Sequence, residues 1–146
     1  QGRISYTLEK LDPSQVAREV VASFALPAKE KQLTVRVDSS KALPGQVIRV
    51  DAGRLKQSLV NLIGNAVKYS TQGEIVVSQY ADARRLYLRV SDTGIGMTDE
   101  ETKGIRGTGL GLWLTARMVQ DMGGTISVES IKGVGSHFII SFPLAA

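Results

Sequence analysis

Two pairs of neighbouring strand-like segments constrain the fold of this 146-residue chain more than any other feature. The first pair covers 74–80 and 85–91 and the second covers 125–131 and 136–142, and apolar and polar residues alternate over 85–91. Alternation around a short connection is typical of an antiparallel hairpin that buries one face, as Leu86, Leu88 and Val90 would in the second segment. Consecutive strands of this kind favour an α+β fold over a doubly wound parallel sheet, whose strands alternate with helices.

Three amphipathic helices are predicted around these hairpins. Asp12 before Pro13 is a helix start, Asp51 can cap a second helix, and Gly123-Gly124 ends a third. We therefore predict one α+β domain over 1–146, a two-layer sandwich in which three helices cover one face of a mixed, mostly antiparallel sheet. The predicted helices cover 12–31, 51–69 and 109–122, and shorter strands are predicted at 4–8, 33–37 and 48–50.

Composition excludes several kinds of site. The chain has no cysteine, which excludes disulfides, thiolate metal sites and cysteine nucleophiles, and its one histidine, His137, excludes a multi-histidine metal site. The net charge of +4 permits an anionic partner, but the basic residues are dispersed and aromatics are 5%, so we expect no nucleic acid. No apolar run approaches the roughly 18 residues of a membrane span, so we expect no membrane contact and a cytoplasmic location.

The second predicted helix carries a polar stripe beside its apolar one. Asn61, Asn65 and Lys68 lie at i, i+4 and i+7, which places them within about 60° of one another on a helical wheel. Asparagine is a poor helix former, so two aligned asparagines are either a solvated polar face or a site. Asparagine carbonyls suit Mg²⁺ and a lysine ammonium suits phosphate, so the stripe is a candidate for binding both.

Two glycine-rich motifs follow this helix. Asp92-Thr93-Gly94-Ile95-Gly96 comes directly after a predicted strand, and its glycines would let the backbone approach a planar ligand closely. Gly107-Thr108-Gly109-Leu110-Gly111 opens the third helix, where backbone N–H groups favour anions. Each motif alone is also compatible with an ordinary turn, and the second is neither a Walker A loop nor a dinucleotide fingerprint.

In this order, the three motifs resemble the catalytic ATP-binding domain of bacterial sensor histidine kinases. That family shares its Bergerat-type fold with DNA gyrase, heat-shock chaperones and mismatch-repair ATPases. The resemblance extends from the lead-in Asp51-x-x-Arg54-Leu55-x-Gln57 to the closing Gly133-x-Gly135-Ser136-x-Phe138. It implies the cytoplasmic part of a membrane-anchored sensor, which binds ATP and Mg²⁺ and donates the γ-phosphate to a histidine on a separate dimerisation domain, upstream of a response regulator.

The resemblance also implies a role for each motif residue. Asn65 would bind Mg²⁺ with Asn61 near the same metal, and Lys68 would contact phosphate, so that Asn65 and Lys68 are the expected catalytic residues. Tyr69 would flank the nucleotide, and Asp92 would accept a hydrogen bond from the adenine amino group. The remaining nucleotide-binding positions, which would pack against adenine or border the phosphates and hinge a lid, are Gly94, Ile95, Gly96, Gly107, Thr108, Gly109, Leu110 and Gly111.

Two features of this chain bear on the reaction that it would carry out. The gyrase and chaperone branch has a water-activating glutamate one turn before the metal-binding asparagine. Asn61 stands there in this chain, which favours phosphoryl transfer over hydrolysis. The expected phosphoacceptor is also absent, because His137 lies in the last predicted strand, outside any helical context. We therefore predict that the chain alone binds ATP but does not phosphorylate itself.

The lid expected between the two glycine motifs is short. Only the ten residues Met97–Arg106 separate Gly96 from Gly107, whereas the family usually has a longer lid with a phenylalanine-containing box. Three explanations stay open: a natively short lid, a shortened one, or residues missing from the sequence near 101–104. Two other functions stay open as well: a non-catalytic nucleotide-binding regulatory module, and a protein serine kinase of the anti-sigma type.

Overall fold

The computed structural model describes residues 4–70, 73–92, 112–131 and 135–145. Within these residues the chain forms four helices and seven strands, which we number in chain order. They are β1 (Glu9–Leu11), α1 (Ser14–Ser23), α2 (Ala25–Glu30), β2 (Leu33–Asp38), β3 (Ile48–Val50), α3 (Ala52–Tyr69), β4 (Gly73–Ala81), β5 (Arg85–Asp92), α4 (Leu112–Asp121), β6 (Thr125–Ile131) and β7 (Gly135–Pro143).

Five of the strands form one mixed sheet in the order β2-β4-β5-β7-β6. β2 and β4 are parallel, and the other three neighbouring pairs are antiparallel. Both predicted hairpins are confirmed, since β6 pairs with β7 and β4 pairs with β5, where Asp92 lies opposite Ile75. The predicted α+β class and the mostly antiparallel sheet are therefore confirmed.

The sheet buries one face, because its central strands β4 and β5 bury every second residue over most of their length. In β5, Asp92 continues the buried row of Leu86, Leu88 and Val90, while the alternate residues are only partly buried. The apolar stripe of α3 packs on this face, and its four largest side chains are fully buried: Leu55, Leu59, Leu62 and Ile63. Burying each such side chain contributes roughly 1.5–3 kcal/mol, so the stripe fixes α3 on the sheet and leaves its polar residues at the rim.

The predicted first helix is two helices, so four described helices stand where the sequence predicts three. α1 ends at Ser23, Phe24 adopts φ −98° and ψ 1°, and α2 begins at Ala25. Pro27 explains the break, because proline has no N–H for the carbonyl of Ser23 and its ring clashes with that carbonyl. The same proline is tolerated in the first turn of α2, where no helical partner for its nitrogen is needed.

The predicted strand at 4–8 is wrong as well. The strand begins later, at Glu9, and β1 pairs with β3 in a separate two-stranded sheet. Asp51 holds the residues before β1: its Oδ2 accepts from the Thr7 N–H at 2.7 Å, and its Oδ1 accepts from the Arg54 N–H at 3.0 Å. These bonds confirm Asp51 as the N-cap of α3, and they lower the pKa of its carboxyl group.

Candidate functional site

The polar stripe of α3 lies toward the C-terminal end of the helix, and a hydrogen bond fixes its central asparagine. The Asn65 side-chain N–H donates to the backbone carbonyl of Asn61 at 2.9 Å, one turn earlier. The oxygen of the same amide, Asn65 Oδ1, accepts no hydrogen bond from any described residue. A neutral, partly buried oxygen of this kind is a suitable ligand for a hard cation.

Asn61 ties α3 to α4. Its side-chain N–H donates to the Thr115 hydroxyl at 2.9 Å, and Thr115 is fully buried. Sequence reasoning missed Thr115, although its spacing from buried Leu112 and Val119 places a hydroxyl in the apolar stripe of α4. The bond orients the Asn61 amide and links the stripe to the helix that follows the second glycine motif.

The last turn of α3 places a cation beside an aromatic ring. Lys68 is exposed, and its Nζ lies 5.5 Å from the centroid of the Tyr69 ring. Lys68 makes no ion pair with a carboxylate in the part of the chain that the structure describes. Its ammonium group is therefore available to an anionic ligand at this end of the helix.

The register of the sheet places Asp92 near the end of α3. It is 8% exposed and ends β5 on the face that α3 covers. Its partner Ile75 lies near the start of β4, where the chain has just left Tyr69 and the end of α3. Two motifs that are separate in the sequence therefore lie at the same edge of the sheet.

A further polar group lies at this edge and was missed in the sequence. Ser70 is the C-cap of α3 and is 1% exposed, and its hydroxyl has no hydrogen-bond partner among the described residues. A buried polar group without a partner costs roughly 1–3 kcal/mol, so this hydroxyl is one that a ligand or a water would satisfy. Its signal in the sequence is weak, because serine is an ordinary residue after a helix.

Eight of the expected nucleotide-binding residues lie outside the described residues, so their roles stay predictions. They are Gly94, Ile95, Gly96, Gly107, Thr108, Gly109, Leu110 and Gly111. The structure does describe the residues that flank this segment. Asp92 ends β5, and Leu112, which is buried, begins α4.

The oxygen donors at this edge fit a metal that takes most of its ligands from elsewhere. In 4–70, 73–92, 112–131 and 135–145, no three histidine, cysteine, aspartate or glutamate side chains are grouped so that they could hold a metal ion. Asn61 and Asn65 offer amide oxygens, which match Mg²⁺ held by one or two protein ligands together with phosphates and water. The residues present therefore fit Mg²⁺ bound with a phosphate-bearing ligand.

The lone histidine lies on the opposite face of the sheet. His137 pairs with Ser91 across β5 and β7, and both residues alternate with the buried row. The Nδ1 atom of His137 lies 3.0 Å from the Ser91 hydroxyl, and the Arg89 guanidinium lies 3.3 Å from the same ring nitrogen. Burial, and then the charge of Arg89, lower the pKa of His137. The sheet separates this imidazole from Asn65 and Lys68.

Comparisons with known proteins identify the family of this chain. Residues 50–146 match the family described as histidine kinase-, DNA gyrase B-, and HSP90-like ATPase. The aerobic respiration control sensor protein ArcB of Escherichia coli is 37% identical over 134 residues, covering 80% of this chain and 17% of ArcB. The sensor histidine kinase RcsC of Escherichia coli is 32% identical over 154 residues, covering 92% of this chain and 16% of RcsC. Full-length ShkA, solved in complex with AMPPNP, has a TM-score of 0.86 at 30% identity, covering 98% of this chain and 32% of ShkA.

The alignment lengths add two facts about the chain. It spans less than a fifth of the length of ArcB and of RcsC. The RcsC alignment runs over 154 positions, more than the 146 residues of this chain, so RcsC has residues that this chain lacks. Within the described ranges, no helix has the length and apolar character needed to cross a membrane.

Proposed function

Because this chain belongs to the histidine kinase-, DNA gyrase B-, and HSP90-like ATPase family, we propose that it is the ATP-binding catalytic domain of a sensor histidine kinase. It binds ATP with Mg²⁺ and donates the γ-phosphate to a histidine on a separate dimerisation domain, from which a response regulator takes it. One observation carries the proposal: the polar end of α3, with Asn65 and Lys68, lies at the same sheet edge as the buried Asp92.

Each residue at this edge has its own role in the proposal. Asp92 accepts from the adenine amino group and so selects the base, and Tyr69 flanks the nucleotide. Asn65 and Asn61 would hold Mg²⁺ through their amide oxygens, and Lys68 would contact phosphate. Mg²⁺ held there would supply positive charge that offsets the charge of the phosphate oxygens. The side chains of the domain thus act by positioning and by charge.

The residues of α3 favour transfer over hydrolysis. No aspartate or glutamate occurs between Ala52 and Tyr69, so the helix has no carboxylate to activate a water molecule. Asn61 stands one turn before Asn65, and its amide is engaged with Thr115. Transfer of a phosphoryl group to a protein acceptor is therefore favoured over transfer to water.

The proposed acceptor lies outside these 146 residues. The only histidine of the chain is His137, and it lies on the sheet face away from Asn65 and Lys68. A dimerisation domain elsewhere in the same sensor would supply the acceptor histidine. In this proposal, both this domain and the dimerisation domain lie on the cytoplasmic side of a membrane-anchored sensor, where ATP is available.

Incubation with γ-labelled ATP tests the proposal. The chain alone should bind ATP and stay unlabelled, and the dimerisation domain of the same sensor, once added, should gain a label that acid removes. Acid removes phosphate from histidine but not from serine, so an acid-stable label on the partner would instead favour the serine kinase. Label on His137 in the chain alone would contradict the placement of the acceptor.

One observation favours a second candidate, a non-catalytic nucleotide-binding regulatory module. The two glycine motifs are separated by only ten residues, Met97–Arg106, and the RcsC alignment shows that a relative has residues that this chain lacks. A short lid would weaken closure over the γ-phosphate while leaving the base and metal contacts intact. Tight binding of Mg²⁺–AMPPNP without any transfer to the dimerisation domain would favour this candidate.

A further inference from the structure

Lys31 connects α2 to the last turn of α3. It is the C-cap of α2 and is partly buried, and its Nζ donates to the backbone carbonyls of Val67 at 2.5 Å and of Lys68 at 3.0 Å. Both carbonyls belong to the last four of α3, which have no partner within the helix. Lys31 therefore satisfies two backbone groups at the end of the helix that carries the candidate site.

The backbone around Lys31 holds the base of this side chain in place. The Lys31 N–H donates to the carbonyl of Ala28 at 3.0 Å, and the N–H of Gln32 donates to the carbonyl of Lys29 at 2.9 Å. Gln32 has φ 61°, and a left-handed residue other than glycine costs roughly 1–2 kcal/mol. Buried Ala28 and Leu33 anchor the turn on both sides. Its surroundings thus maintain a strained turn that directs Lys31 toward α3.

The contact also changes the charge at the end of α3. The C-terminal carbonyls of a helix carry a partial negative charge of about half an elementary charge, which opposes a bound phosphate. The Lys31 ammonium, seated on two of these carbonyls, offsets that charge. Because the Lys31 ammonium offsets the charge of these carbonyls, the exposed ammonium of Lys68 is available to bind a ligand.

We infer that Lys31 is a positioning residue for the nucleotide site, an inference that rests on the proposed function. It holds the last turn of α3, so that the Asn65 amide oxygen and the Lys68 ammonium keep a fixed spacing. It also offsets helix-end charge that would oppose phosphate. Its own Nζ is committed to the carbonyls of Val67 and Lys68, so it acts through α3 and does not contact the ligand.

Lys31→Met tests the inference, because it keeps the apolar stem and removes the donor. We expect the affinity for Mg²⁺–AMPPNP, measured by calorimetry, to fall about tenfold, as for loss of a charged hydrogen bond. Affinity for adenosine alone, which lacks phosphates, should stay within about twofold. Amide hydrogen exchange at Ser70, whose N–H bonds the Ala66 carbonyl, should become faster. Lys31→Arg should retain most of the Mg²⁺–AMPPNP affinity.

Lys29→Met is the matched control, since it removes the same charge from an exposed position two residues away. It should bind both ligands as the wild type does. Wild-type affinity for Mg²⁺–AMPPNP in Lys31→Met, or an equal loss for Mg²⁺–AMPPNP and adenosine, would overturn the positioning role. Failure of the wild-type chain to bind Mg²⁺–AMPPNP is a different result, which contradicts the proposed function itself.

Discussion

The two ends of α3 use similar polar groups in opposite ways. At the N-terminal end, the chain satisfies its own groups, because the Asp51 carboxylate accepts hydrogen bonds from both Thr7 and Arg54. At the C-terminal end, the Asn65 amide oxygen and the Ser70 hydroxyl have no partner among the described residues. Among the described residues, the protein satisfies the N-terminal end, which we call the closed end. At the C-terminal end, which we call the open end, Lys31 satisfies two backbone carbonyls, but the side-chain oxygens of Asn65 and Ser70 remain for a ligand.

This difference separates stability from binding along a single helix. Polar groups that pair within the chain contribute to the free energy of unfolding, whereas a buried polar group without a partner lowers it. Native proteins keep few such groups, and they concentrate where a ligand or water supplies the missing partner. Substitutions at the two ends of α3 should therefore differ in kind as well as in size.

Asn65→Ala should give the largest effect on binding. We expect the affinity for Mg²⁺–AMPPNP to fall about 30-fold, since loss of a residue that serves a metal site typically costs 10–100-fold, with little change in thermal stability. Gln57→Ala is the control, because it removes a partly buried amide from the same helix about two turns earlier and should leave affinity unchanged. Equal affinity in wild type and Asn65→Ala, measured by calorimetry, would remove the metal assignment and the contrast between the ends.

Asp51→Ala should affect stability and not nucleotide binding. Loss of this N-cap should lower the free energy of unfolding by about 1 kcal/mol at neutral pH, measured by urea denaturation, and should leave nucleotide affinity unchanged. Folding lowers the pKa of Asp51 from its ordinary 3.8, so its contribution is present above that pH and is lost as the pH falls through the folded value. The wild-type and variant stabilities should therefore converge in acid. A variant that kept its stability but bound nucleotide weakly would reverse the comparison.

The closed end of α3 could be predicted from the sequence, and much of the open end could not. Asp51, the apolar stripe of α3 and the spacing of Asn65 in the polar stripe are local signals, and the resemblance assigned roles to Asn65 and Asp92. The break at Phe24 was also local, since Pro27 was there to indicate it. In contrast, Ser70 and Lys31 follow no local pattern, and for Thr115 the local pattern shows only a hydroxyl within an apolar stripe. The importance of all three comes from contacts or burial that only the packed helices create. The strand at 9–11 was misplaced for a similar reason: its pairing with β3 decides its position.

Ser70→Ala should sharpen the contrast with a smaller effect. If a ligand or its water satisfies the buried hydroxyl, affinity for Mg²⁺–AMPPNP should fall about threefold, while the stability of the free chain stays equal or rises. Ser58→Ala is a matched control, because Ser58 is equally buried in α3 but its hydroxyl already donates to the Arg54 carbonyl at 2.9 Å. The control should lose stability, by about 1 kcal/mol, and keep its affinity. The same pattern in both variants would show that the Ser70 hydroxyl has no part in binding.

The smallest predicted effect is on the pH dependence of stability, and it comes from His137 on the sheet face away from α3. Burial and Arg89 lower the pKa of His137 below its ordinary 6.5, so the unfolded chain binds more protons than the folded chain just below that pH. The free energy of unfolding should therefore fall as the pH drops below about 6.5 and level off once the folded imidazole is also protonated. Glu129, which faces His137 from β6, moderates the shift by raising the same pKa. His137→Asn should flatten this part of the pH profile. Asn65→Ala should leave the pH profile unchanged, because the sheet lies between Asn65 and His137. A changed slope in Asn65→Ala would mean that the two faces of the sheet are coupled.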